Sequence, residues 1–396
     1  MTIKTNRSVN GDRIKQAREI KGLTQAELAD RVGVSQPAIA QLEQTQPGPA
    51  FIPSDDLIES ISFALGFPVS FFKRESGPEF PLGSLLYRKK MALKSMDRNK
   101  VRQLARFAYE LTEHMSKRLR MPALNLPRLT DDDAVTGAQV TRSALGLSPD
   151  TPVKNIIHQL EKNGVLVLAV PYEIDEHDSF SAWITDVSPP KPVIVISASK
   201  PGDRQRFSVS HEIAHLVMHS TYQGDLKTIE DQADRFAAEF LMPEEAIRME
   251  FQTPVTLSKL AALKPVWGVS IQALARRALD VEKITYRQYT YLFEQISRLN
   301  WRRREPENLD ITPEKPRALR KMAEVTYGIP INYKKAASEM DVPPSLIKSL
   351  LDLHADRQDL ARRPKEPLRS NRKTPKEDSI PIIGTDNVIS IYSKRK

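Results

Sequence analysis

Two histidines four residues apart, with a glutamate directly after the first, constrain this chain more than any other feature. They lie in the run Ser208-Val209-Ser210-His211-Glu212-Ile213-Ala214-His215-Leu216-Val217-Met218-His219. On a helix of about 3.6 residues per turn, positions four apart stack on one face, so His211 and His215 present two imidazoles to one point while Ile213, Leu216 and Val217 face the core. Two neutral imidazoles and one carboxylate suit tetrahedral zinc with a fourth position open to water, and Glu212 stands where it can take that water's proton. The H-E-x-x-H spacing thus predicts a metal helix and the chemistry of peptide-bond hydrolysis.

A third ligand has to come from a later helix, and the run Ile229 to Pro243 supplies one. Ala233, Phe236, Ala237 and Phe240 recur there at helical spacing, which places Glu230 and Asp234 one turn apart on a common face. Glu230 is the expected ligand, and Asp234 the acceptor for the free ring N–H of a ligand histidine. Glu239 is the rival carboxylate, but it sits half a turn away and brings no such partner. His219 continues the histidine row too far along the axis to share a tetrahedral site, so a helix-end role, or one behind a ligand, is expected.

The run Arg206-Phe207-Ser208-Val209-Ser210-His211-Glu212-Ile213-Ala214-His215, followed by Glu230-x-x-Ala233-Asp234-x-Phe236-Ala237-Ala238-Glu239-x-Leu241-Met242-Pro243, resembles the ImmA/IrrE family of bacterial zinc peptidases. Trp267-Gly268-Val269-Ser270-Ile271-Gln272-Ala273-Leu274 resembles that family's downstream helix. The likeness spans roughly residues 130 to 300. It implies a zincin-like α+β domain, a cytoplasmic location and endopeptidase action on helix-turn-helix repressors. It also implies that His211, His215 and Glu230 are metal ligands and that Glu212 is the general base. Zinc is the expected cofactor, and the same donors accept Mn2+ or Fe2+.

The chain has no cysteine, which excludes a disulfide framework and any thiolate metal site. Its amino terminus is polar and unlike a signal peptide, and no segment has the length to span a membrane, so a cytosolic protein is expected. The net charge of +9 is unevenly spread: positive charge gathers between residues 76 and 125 and again beyond residue 362, whereas 126–300 is acidic. These shifts suggest a helix-turn-helix domain over 1–75, a basic helical connector over 76–125, the peptidase region over 126–300, a small helical appendage over 301–361, and a basic, disordered tail over 362–396. The expected fold class is a multidomain, mainly α chain with one α+β zincin-like domain, led by an all-α, five-helix repressor-like domain.

In that first domain a helical pattern from Asp12 stops at Gly22. Thr24 then caps a second helix, with Glu27 three residues on completing a capping box. Gly33 ends it, and Ser35 caps a third helix with Pro37 in its first turn. The region resembles the Cro/CI-type, or XRE, repressor domain. Gln36 and Gln41 are candidate base readers, because an amide both donates and accepts at adenine, and Gln25 and Ser35 are candidates for DNA contact at the helix starts. Arg18 and Glu43 are expected to bridge helices one and three. Double-stranded operator DNA is the expected partner, with phosphate contacts from the adjoining basic segment.

The connector, Tyr87 to Met121, keeps Val101, Leu104, Ala105, Ala108, Leu111 and Met115 at helical spacing. It reads as one buried face and one cationic face, suited to packing on the peptidase region, to a homodimer, or to a nucleic-acid backbone. Strands are expected at Val165–Val170, Phe180–Thr185 and Pro192–Ser197, the last offering its edge to an extended substrate. In the appendage, Ala336 to Ile347 echoes a second helix-turn-helix. Together these readings predict a DNA-binding zinc endopeptidase that cleaves a helix-turn-helix repressor, or itself, to release stress or mobile-element genes. The alternative is a protease-inactive, zinc-containing transcriptional regulator.

Overall fold

The computed structural model describes residues 9–44, 53–81, 95–130, 133–171, 179–219 and 225–356. The loop after Gln44, the first part of the connector, His177, Tyr222 and the tail lie outside these residues. Two compact units emerge. One gathers residues 1–80, 92–121 and 317–396, and the other residues 81–91 and 122–316.

The first unit begins with α1 (Gly11–Ile20), where the Asn10 side chain accepts from the Asp12 amide. Helix α2 (Gln25–Val32) opens on the capping box formed by Thr24 and Glu27 and closes on Gly33 at φ 71°, a left-handed conformation that costs glycine nothing. Helix α3 (Gln36–Glu43) starts after Ser35, which holds the N-cap position without making a side-chain capping bond. Helix α4 (Asp55–Leu65) and a 3-10 turn (Val69–Lys73) complete the five helical pieces. Ile14, Leu28, Ile39, Leu42, Ile61, Phe71 and Phe72 fill the interior.

Across this core Arg18 grips Glu43 with two bonds, Nε–Oε1 at 2.5 Å and Nη2–Oε2 at 2.9 Å, and donates a third to the Leu23 carbonyl. Both side chains are buried, so removing one strands a charge away from water. Arg18→Met is expected to lower the stability of this unit by about 3–5 kcal/mol, read as a fall in the urea midpoint.

Helix α5 (Ser95–Ser116) departs from the two-faced expectation: from Val101 to Leu111 nearly every residue is buried. It packs against α1 and against α14 (Ala318–Tyr327). Charges in this stretch turn inward because oppositely charged and polar side chains on α1 meet them. Arg106 holds Asp12 through both terminal nitrogens, at 3.1 and 2.8 Å. Burial alone would raise the Asp12 carboxyl, yet Arg106 keeps it below the usual carboxylate range. Glu110 takes Arg13 at 2.6 Å and Gln16 at 3.1 Å, and Gln103 reaches Glu19 at 2.8 Å. The middle of the helix therefore cannot follow a nucleic-acid backbone; exposed cations are Arg98 near its start and Lys117, Arg118 and Arg120 just past its end.

Helices α15 (Tyr333–Met340) and α16 (Pro344–Leu353) belong to the same unit. Glu339 on α15 collects His114 of α5 at 2.8 Å and Tyr327 of α14 at 3.2 Å. Arg74 reaches Asp341 at 2.8 Å. The connector helix and the helices α14 to α16 of the appendage are thus part of the amino-terminal unit, whereas residues 301–316 belong to the second unit.

The second unit runs through α6 (Ala134–Ala144), α7 (Ile156–Lys162), β1 (Leu166–Val170), β2 (Ser179–Ile184), β3 (Lys191–Ser197), α8 (Gly202–Met218), α9 (Leu226–Leu241), α10 (Glu244–Glu250), α11 (Leu257–Trp267), α12 (Ile271–Asp280) and α13 (Tyr286–Arg298). The strand order is β1-β3-β2, with β1 parallel and β2 antiparallel to β3. This corrects the expectation for the Val193–Ser197 strand: it is central, both of its edges are paired, and it has none to offer a substrate. Its continuous apolar run, buried on both faces, is the pattern of an inner strand.

Helix α8 lies on β2 and β3, and α9 packs beside it. At the start of α8 the chain passes so close to the Ile311 and Thr312 carbonyls that a Cβ on Gly202 would sit 2.5–2.6 Å from them; glycine is required there. Buried Lys264 anchors the same end by gripping Asp203 and Glu305.

Candidate metal centre

His211, Glu212 and His215 occupy the middle of α8, and α9 brings Glu230 and Asp234 to them. The two Nε2 atoms lie 3.0 Å apart, and Glu230 sets Oε2 3.5 Å from His211 and Oε1 3.5 Å from His215. A tetrahedral ion with bonds of roughly 2.0–2.2 Å keeps its ligands roughly 3.3 Å apart, so this triangle has the right size. Among the described residues these three form the group able to hold a metal ion. Glu230 Oε1 is buried with no hydrogen-bond partner, a cost that a cation would relieve. The donor set and the orphaned oxygen both fit zinc.

Each imidazole is braced from behind. Asp234 Oδ1 lies 2.8 Å from His211 Nδ1, which leaves Nε2 directed at the triangle. His215 Nδ1 lies 3.0 Å from His219 Nδ1, and His219 Nε2 meets Gln232 Oε1 at 3.1 Å. His219 thus stands behind a candidate ligand at the helix end, and Gln232 is a partner that sequence reasoning did not name. Burial pushes the His211 ring down, but Asp234 and Glu230 outweigh it and raise its pKa to about 9. Burial beside His215 takes His219 down to about 4. Burial would raise the Glu230 carboxyl; the two histidines hold it far below the usual range.

Glu212 is fully buried and faces β2. Ser181 donates to its Oε2 at 2.7 Å and Ser179 to its Oε1 at 3.3 Å. Sequence reasoning missed both serines. Their signal was present, since residues two apart on a strand share a face. Trp183 adds a bond from Nε1 to the Leu216 carbonyl at 3.0 Å and so ties β2 to α8. Glu239, the rival ligand, points elsewhere: it pairs with Arg277 and accepts the Glu244 amide at the start of α10.

In the helix-turn-helix, Gln36 and Gln41 are exposed on α3, and Ser35 is exposed just before it. Gln36 donates to Gln25 Oε1 at 2.8 Å, and Gln25 in turn donates to Glu43 Oε2 at 2.8 Å. Gln25, a candidate for DNA contact, therefore also ties α2 to α3.

A helix with two candidate metal ligands, answered by a carboxylate from the next helix over a small mixed sheet, is the arrangement of a metallopeptidase-type domain; here a helix-turn-helix domain precedes it. Residues 160–279 match the family model of the IrrE N-terminal-like domain, Peptidase M78, and residues 14–50 match that of the helix-turn-helix. The chain thus carries an ImmA/IrrE-like peptidase-family domain fused behind an XRE-type helix-turn-helix. A comparison with curated proteins finds no match. No helix among the described residues is long and apolar enough to cross a membrane.

Proposed function

We propose that this protein is a DNA-binding, cytoplasmic zinc endopeptidase that cleaves a helix-turn-helix repressor, or its own helix-turn-helix domain, and so releases stress or mobile-element genes. The convergence of His211, His215 and Glu230 around an unpartnered carboxylate oxygen, with Glu212 beside them, carries the reading. When bound, zinc supplies Lewis-acid polarisation of the scissile carbonyl. Glu212 takes the proton of the attacking water and delivers it to the leaving amine nitrogen. Ser179 and Ser181 aim the Glu212 oxygens, and Asp234 fixes the His211 tautomer. Gln25, Ser35, Gln36 and Gln41 contact operator DNA.

The test is to incubate the zinc-loaded chain with a repressor encoded beside it or copurifying with it, and to follow cleavage on a gel. Absence of cleavage under conditions where the chain holds stoichiometric zinc and shifts operator DNA would favour the second reading, a protease-inactive zinc-containing regulator. The complete burial of Glu212 behind two serines is the observation in that reading's favour.

Ser181→Ala removes a hydrogen bond to a charged group, worth about 1.5–3 kcal/mol. It is expected to lower kcat by about 10- to 100-fold with zinc content unchanged, measured by single-turnover cleavage and metal analysis. An unaltered kcat would show that Ser181 only packs the strand.

A further inference from the structure

Helices α15 and α16 repeat α2 and α3 position for position at one constant offset along the chain. Both leading helices have eight residues. Each is capped by a side chain that accepts from the third amide of its helix, Thr24 from Glu27 and Asn332 from Lys335. Each ends on a left-handed residue, Gly33 at φ 71° and Asp341 at φ 54°. The turn then closes with the same bond, Val34 N to Ala29 O at 3.1 Å and Val342 N to Ala337 O at 3.0 Å. The second helix begins two residues later in both, at Gln36 and at Pro344. Buried positions coincide as well: Leu28 with Ala336, Ala29 with Ala337, Ile39 with Ile347, and Leu42 with Leu350. Even the preceding helices, α1 and α14, are ten residues each, and both pack on α5.

We propose that α14–α16 form a second helix-turn-helix that binds duplex DNA, chiefly through its phosphates. The exposed side chains differ from those of the first in a consistent way. Lys334 and Lys335 stand where α2 carries Ala26 and Glu27, and Lys348 stands where α3 carries Ala40. The positions of the base-reading candidates Gln36 and Gln41 are held by Pro344 and Ser349, which carry less hydrogen-bonding information. After α16 the sequence runs into 362–396, with ten basic residues against four acidic ones. Cations without amides suit the phosphate backbone rather than base edges, so this unit adds affinity with little sequence preference. The inference is independent of the peptidase reading.

The test uses the full chain and a fluorescein-labelled mixed-sequence duplex of about 30 base pairs, followed by anisotropy over a salt series. Lys334→Glu with Lys335→Glu is expected to weaken binding at least about tenfold and to reduce the slope of log K against log salt by about 2. The loss should persist when the first motif carries Gln36→Glu and Gln41→Glu. Ser349→Glu, on the exposed side of α16, should act in the same direction, and all five substituted residues lie on the surface, so circular dichroism should be unchanged. Binding and slope equal to those of the parent in both the α15 and α16 variants would overturn the proposal. So would intact DNA binding with an altered mass by light scattering, which would assign the face to a second copy of the chain.

Discussion

Glu230→Gln is expected to weaken zinc binding by at least about 100-fold, more than the roughly 10- to 100-fold expected for Asp234→Ala, because Glu230 is the carboxylate in the triangle and Asp234 only braces a ligand. The Glu230 side chain sits 3.5 Å from both imidazoles, and among the described residues no other carboxylate joins the group. Competition against a chromophoric chelator reads the loss directly. A second readout does not depend on catalysis. Zinc at 1,000 times the parent's dissociation constant stabilises the folded form by about 4 kcal/mol, whereas a site about 100-fold weaker gains only about 1.4 kcal/mol at the same concentration, so chelation should lower the melting temperature of the parent much more than that of Glu230→Gln. Equal zinc affinity in parent and variant would return the third-ligand role to another residue and remove the main support for the metal centre.

Glu212→Gln is expected to have the largest effect on turnover. Loss of a positioned general base costs about 10²–10⁴-fold. The amide keeps the shape of the side chain and can still meet Ser179 and Ser181, so zinc content and melting temperature should stay at parent values. Cleavage by the parent with none by this variant identifies both the activity and its base. Equal cleavage by the two would point to a copurifying protease, and transcriptional control that survives the change would favour the regulator without peptidase action.

Much of the candidate centre was legible because it rests on local spacing. His211 and His215 share a helix face by arithmetic alone, and Glu230 was separable from Glu239 because only Glu230 brings Asp234 one turn behind it. The brace from His219 was also readable as an extension of the same row. The position of β3 was not, because strand order is decided by pairing between segments far apart in sequence; only its doubly buried run hinted at the centre of the sheet. Helix α5 misled for the same reason. Arg106 reads as a surface cation until Asp12, far upstream, is brought against it. The echo at Ala336–Ile347 was faint in letters because its left-handed turn residue is Asp341 rather than glycine, although the backbone there is the same.

The amino-terminal unit is interrupted: almost two hundred residues separate Met121 from Arg317, and both ends of that gap belong to it. During synthesis at about 5–20 residues per second, α5 waits roughly 10–40 seconds for α14 to leave the ribosome. Over that interval its flank lacks the cover of α14, while the whole peptidase sequence emerges and can fold first. A chain released early would carry a complete candidate metal centre and an unfinished amino-terminal unit, so the order of manufacture itself completes the candidate centre before the unit that holds the helix-turn-helix.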